Sequence, residues 1–146
     1  MLTEVTVKLQ ISKPAEEVFV ALINPEKIGN YWFSSSSEKW TEGNTVLLRY
    51  EEYQAEVAIR IMEVAEKEKI VFAWGEKHEE TIVSITLKEH NLKTVLEVKE
   101  SGFKEDDPLL VEKLLNQKEG WVYTLTCLKA YLEHGIHNLR ASLVFG

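Results

Sequence analysis

The stretch from Asp107 to Gly135 constrains this chain more than any other. It is the one long segment with helical periodicity, and it follows a run of strand-like segments. With Trp121 as origin and ~100° per residue, Leu125, Leu128 and Leu132 fall within roughly 40° of it. Thr126, Glu133 and His134 lie on the opposite side. One bulky apolar stripe needs one large apolar partner, and the preceding strands supply it as a sheet. Gly135 is a natural C-cap. Asn116 and Glu119 form a capping pair, so the spacing predicts a break or bend between Asn116 and Gly120, after a lead-in from Pro108 to Leu115.

Upstream, Val5, Val7, Leu9 and Ile11 alternate with Thr6, Lys8 and Gln10, the pattern of a half-buried strand. Ser12 is placed to cap a helix carrying Val18, Phe19 and Leu22, and Asn24-Pro25 ends that helix and starts a short second one. Ser34 to Ser37 read as a flexible loop. Strands follow over Thr45 to Tyr53, from Gln54 to about Ala65, over Ile70 to Trp74, from about Thr81 to Leu87 and over Lys93 to Ser101. The short turns between them, charged or polar, imply antiparallel hairpins. The order is one strand, two helices, about six strands and a terminal helix.

The 146 residues fit one domain, with a fold core of about 5–135 and a tail of 136–146. A chain of this size buries roughly 68–70% of its unfolded surface. A net charge of −7 disfavours nucleic acid and anionic membrane surfaces as partners. No apolar run approaches the ~18–20 residues of a membrane span, and the N-terminus shows no secretory pattern. Cys127 is the single cysteine, which excludes an internal disulfide and fits a reducing cytoplasm.

Three segments in order carry a family likeness: ISKPAEEVFVALINPEKIGNYW near the start, IVFAW in the middle and EGWVYTLTCLKAYLEHG near the end. Together they resemble the START-like helix-grip (SRPBCC) superfamily, in the branch named for the activator of the 90 kDa heat-shock-protein ATPase. The resemblance implies an α+β helix-grip fold. In it a curved antiparallel sheet of about seven strands wraps a long C-terminal helix, in the order β-α-α-β(6)-α, with an apolar cavity between them. Related branches bind lipids, sterols, plant hormones or polyketide intermediates, and a few catalyse cyclisation or dehydration. The eukaryotic activator also has an N-terminal chaperone-binding domain, for which this chain leaves no room.

On this reading the expected function is binding of a hydrophobic or amphipathic small molecule. The alternatives are interaction with a chaperone or regulator, and an enzyme using the same cavity. The expected cavity residues are Trp32, Tyr50, Phe72, Trp74 and Trp121, with Leu125 and Leu128 as floor, the other reading being that these side chains simply fill the core. The polar anchor is Tyr50, or Arg60 if its face of the strand is the concave one rather than the solvated one. No cofactor is implied. His134 and His137 straddle Gly135, which spoils the geometry of a metal pair, and no third ligand is near. No nucleophile elbow or phosphate-cradling glycine pattern occurs, and Cys127, off the Trp121 stripe, reads as a small packed residue. Glu51 and Glu52, read as adjacent in a strand, face opposite sides. The apolar tail, Leu143 to Phe145, needs cover, from the domain itself or from a second copy in a homodimer.

Overall fold

The computed structural model describes residues 3–144. The strands are β1 (Val5–Ile11), β2 (Ser35–Ser36), β3 (Thr45–Tyr50), β4 (Ala55–Ala65), β5 (Lys69–Trp74), β6 (Thr81–His90) and β7 (Lys93–Ser101). The helices are α1 (Ala15–Ile23), α2 (Pro25–Ile28) and α3 (Leu110–His134). All seven strands form one antiparallel sheet in the order β1-β7-β6-β5-β4-β3-β2. The fold is the α+β helix grip, with α3 against the inner face of the sheet.

Period-two alternation selects that face. Val5, Val7 and Ile11 of β1, Ile59 and Ile61 of β4, Ile70 and Phe72 of β5, Val83 and Ile85 of β6, and Leu96 and Val98 of β7 are all buried. Met62 is an extra residue in β4 between the pairs Ile61–Phe72 and Glu63–Val71. Such a bulge sharpens the local twist and helps the sheet to curve. From the helical side, Trp121, Leu125 and Leu128 are buried and Leu132 packs at the edge of the same core.

Four local expectations need correction. Helix α3 runs without a break through Gly120. Gln117 and Trp121, one turn apart, both bond to the same buried side chain described below, which holds the helix continuous where the sequence suggested a cap. The serines form the short edge strand β2, paired to Leu48 and Arg49. Glu51–Tyr53 is a 3-10 turn rather than strand, and it turns Glu52 toward Ser34 and the tail. Finally, Ser12 does not cap α1: Glu89 Oε1 accepts the Ala15 N–H at 2.7 Å instead. Asn24 does cap α2, accepting from the Glu26 N–H at 2.9 Å. Gly135 ends α3 at φ 68°, with its N–H on the Tyr131 carbonyl.

Candidate functional site

The four tryptophans converge at one end of the grip. Trp32, carried by the loop after α2, packs against Trp40, Trp74 and Trp121 at centroid distances of 5.9, 6.2 and 5.3 Å. Trp74 and Trp121 stack across the sheet–helix gap at 5.5 Å and 30°. Trp32, Trp74 and Trp121 form one wall of an open groove of about 510 Å³, whose other sides include Tyr50, Tyr53, Tyr123, Thr124 and Leu143. A more polar cleft of about 460 Å³ adjoins it, sharing Phe33, Ala55, Trp74 and Gln117.

At the junction lies Glu100, only 1% exposed. Its Oε2 accepts from Thr81 Oγ1 at 2.6 Å and from Trp74 Nε1 at 3.1 Å. Its Oε1 accepts from Trp121 Nε1 at 2.8 Å and from Gln117 Nε2 at 2.9 Å. A buried carboxylate is costly unless its lone pairs are met, and four donors meet them here. Indole and amide N–H groups only donate, so the set complements an ionised carboxylate. All four donors are neutral, and Glu100 stands in no ion pair among the described residues. The register explains the gathering. Trp74 pairs directly with Thr81, Glu100 pairs with Val83, and Gln117 and Trp121 descend from α3 over the same sheet end.

Sequence reasoning missed Glu100, although a signal was present. Thr94, Leu96 and Val98 alternate inward along β7, and the next position in that phase is Glu100. An acid at an inward position of a strand marks either a site or a structural network.

The expected cavity residues divide into three groups. Trp32, Tyr50, Trp74 and Trp121 line the groove. Phe72, Leu125 and Leu128 are buried in the core, with Phe72 enclosed by Trp40 and Trp74, and none of the three is among the groove-lining residues. Arg60 is the correction: it projects from the outer face, because Ile59 and Ile61 on either side take the inward phase. Its guanidinium forks onto Glu80 at 3.0 and 3.1 Å, so its charge is met in solvent and away from the groove.

The tail closes one flank. Arg140 donates to the Trp32 carbonyl, to both carboxylate oxygens of Glu52 at 2.6 and 3.0 Å and to Ser34 Oγ at 3.1 Å, and lies 5.0 Å over the Tyr50 ring. Tyr53 Oη donates to the Leu143 carbonyl and Tyr123 Oη to the Leu139 carbonyl, each at 2.6 Å. Hydrogen bonds from Arg140, with one from backbone, hold the Glu52 carboxyl down to about 2. Burial pushes the Tyr50 phenol up, against the opposing charge of Arg140. The tail thus folds back on its own domain; Val144 is 86% exposed and Phe145 lies outside the described residues. Cys127 is buried although it lies off the Trp121 stripe, and burial raises its thiol. His134 is exposed, and among the described residues no three His, Cys, Asp or Glu side chains converge as a metal set. Among the described residues no helix is long and apolar enough to cross a membrane.

A curved sheet gripping a C-terminal helix, with a groove between them, defines a helix-grip protein. The family described as Activator of Hsp90 ATPase homolog 1-like protein matches residues 12–133, and the chain belongs to that family. Among solved structures, the protein SSP2350 from Staphylococcus saprophyticus is 46% identical, with 92% of this chain and 94% of that chain covered and a TM-score of 0.81. The Aha1 dimer from Colwellia psychrerythraea is 16% identical over 92% and 98% of the two chains, with a TM-score of 0.79. DynU16, from the dynemicin biosynthetic locus, is 22% identical at a TM-score of 0.83, with 94% of this chain but 49% of that chain covered. The last two likenesses concern the fold alone. No curated protein sequence gave a significant match.

Proposed function

We propose that the protein binds a hydrophobic or amphipathic small molecule in the groove between sheet, α3 and tail. The observation that carries this is the groove itself: about 510 Å³ walled by Trp32, Trp74, Trp121 and three tyrosines. Ligand sites have this make-up, mostly apolar and aromatic with a few fixed polar groups. Trp74, Tyr50, Tyr53 and Tyr123 are only half-buried where they line the groove, backed by the buried Trp32 and Trp121, and open aromatic surface of that kind favours occupancy over empty packing. Native mass spectrometry of protein purified from its source, followed by a ligand screen read by tryptophan quenching, tests it. A retained mass or saturable quenching is expected; neither, across lipids and aromatic compounds, would sink the proposal.

The family match favours a second reading, action on a chaperone of the Hsp90 type through an outer surface. A pull-down that recovers the chaperone, and that survives Trp74→Ala in the groove but not changes on the outer face, would support it. Self-association belongs to the same proposal. The Colwellia relative is a dimer, and Val111, Leu115 and Val122 form an exposed apolar stripe on α3 of the present chain. Sedimentation is expected to show a dimer that Leu115→Glu dissociates, and a monomer at high concentration argues against it.

A further inference from the structure

We infer that the groove selects an amphipathic organic cation, its apolar body among the tryptophans and its ammonium end toward Glu100; this rests on the ligand-binding reading above and names its ligand class. Three independent features of the site point the same way.

The first is charge. The aromatic groove has no charged side chain among its described lining residues. The adjoining cleft sets five carboxylates, including Glu100, Glu76 and Asp107, against Lys104, Lys113 and Arg49, the last paired with Glu56. Low-dielectric walls focus such a field into a cleft. An anionic ligand would meet that excess directly.

The second is the state of Glu100. Its partners are four neutral donors, which hold the carboxylate in place without cancelling its charge. A carboxylate fixed by dipoles and facing a cleft keeps its attraction for a cation that arrives from outside.

The third is the ring geometry. Trp74, half-buried, lines both the groove and the acidic cleft beside that carboxylate, backed by the buried Trp121 stacked on it at 5.5 Å. Indole faces are the strongest aromatic partners for a cation. Across the groove, Tyr50 already holds a cation in this way, since the chain's own Arg140 sits 5.0 Å over its ring.

The test uses the full chain and three probes with one alkyl length and different heads: decyltrimethylammonium, decyl maltoside and decanoate. Each is titrated below its micellar threshold, with binding read by tryptophan quenching and calorimetry. The cation is expected to bind with one-to-one stoichiometry and at least about tenfold tighter than decanoate. Glu100→Gln should remove that preference, so that the cation binds no tighter than decanoate. Because that variant disturbs four hydrogen bonds and so tests folding as well, Glu76→Lys provides a second probe on an exposed rim. It should weaken the cation alone, whereas Glu66→Lys, the same charge change in the β4–β5 turn, should not. Equal or tighter binding of decanoate or maltoside overturns the cation inference and leaves the ligand-binding reading standing. A cation preference lost equally in Glu66→Lys would make it a property of net charge, and would overturn the inference too. Binding of none of the three overturns both.

Discussion

Glu100 shows how one side chain can dictate its neighbourhood. Its two oxygens draw an indole from β5, a hydroxyl from β6, and an amide and a second indole from α3 to one point. Hydrogen bonds to a charged group contribute ~1.5–3 kcal/mol each, so the network both stabilises the grip and fixes the tryptophan wall. Glu52 works differently, in solvent, as the clasp for Arg140. Its folded-state value of about 2 lies below its ordinary 4.5, so its contribution is complete above about 4.5 and is lost as pH falls toward about 2. Wild type should therefore exceed Glu52→Gln in stability at neutral pH, with the gap closing across that acid window. A gap unchanged between pH 6 and pH 2 in parallel urea titrations would refute the assignment. Leu128 represents the plain core. It has no exposed surface, so Leu128→Ala should lower the unfolding free energy by ~2–5 kcal/mol in denaturant titration. Thr126→Ala, two residues away on the exposed side, should stay within about 0.5 kcal/mol.

At the scale of elements, α3 is the informative case. Gly120 is a weak helix residue, and next to a potential capping pair it reads as a break. Continuity comes from outside the helix, through Gln117 and Trp121 bonded one turn apart to Glu100. A Cβ at Gly120 would meet nothing within 4 Å, and its backbone is helical. Gly120→Ala is thus expected to stabilise by ~0.5–1 kcal/mol. A destabilised variant by thermal and urea unfolding would mean that the helix does bend there. The strands were more legible, since alternation marks the inward phase of each without help from its neighbours. Arg60 shows the limit of that signal. The period tells that Arg60 opposes Ile59 and Ile61, and only the placement of α3 tells which side is concave.

Across the whole molecule, the tail decides how open the groove is. Arg140, Leu139 and Leu143 tie it to the loop after α2, to the 3-10 turn and to α3, and Leu143 lines the groove. Arg140→Ala removes the clasp and leaves the sheet–helix core untouched. Acrylamide quenching of tryptophan should rise in that variant while the unfolding transition stays cooperative. Unchanged quenching would mean that the tail does not cover the groove. The tail is therefore held against its own domain as far as Leu143, by polar contacts as much as by apolar ones, while Val144 stays exposed.

Sequence alone determined the helix grip: the alternating strands, the Asn24-Pro25 junction, the apolar stripe of α3 and its end at Gly135. These are local patterns, each imposed by a repeat of 2.0 or 3.6 residues or by a cap, and they need no knowledge of distant partners. Tertiary structure decided the rest, because it depends on which faces meet. It placed Glu100 among four donors that lie 17 to 26 residues away in sequence, and sent Arg60 outward to Glu80. It also enclosed Phe72, Leu125 and Leu128 within the core, while Tyr50 and Trp74 stay half-buried along an open groove that the buried Trp32 and Trp121 back. The physical reason is closure: the α3 stripe is apolar in either case, and the distance at which the curved sheet meets it separates core from cavity.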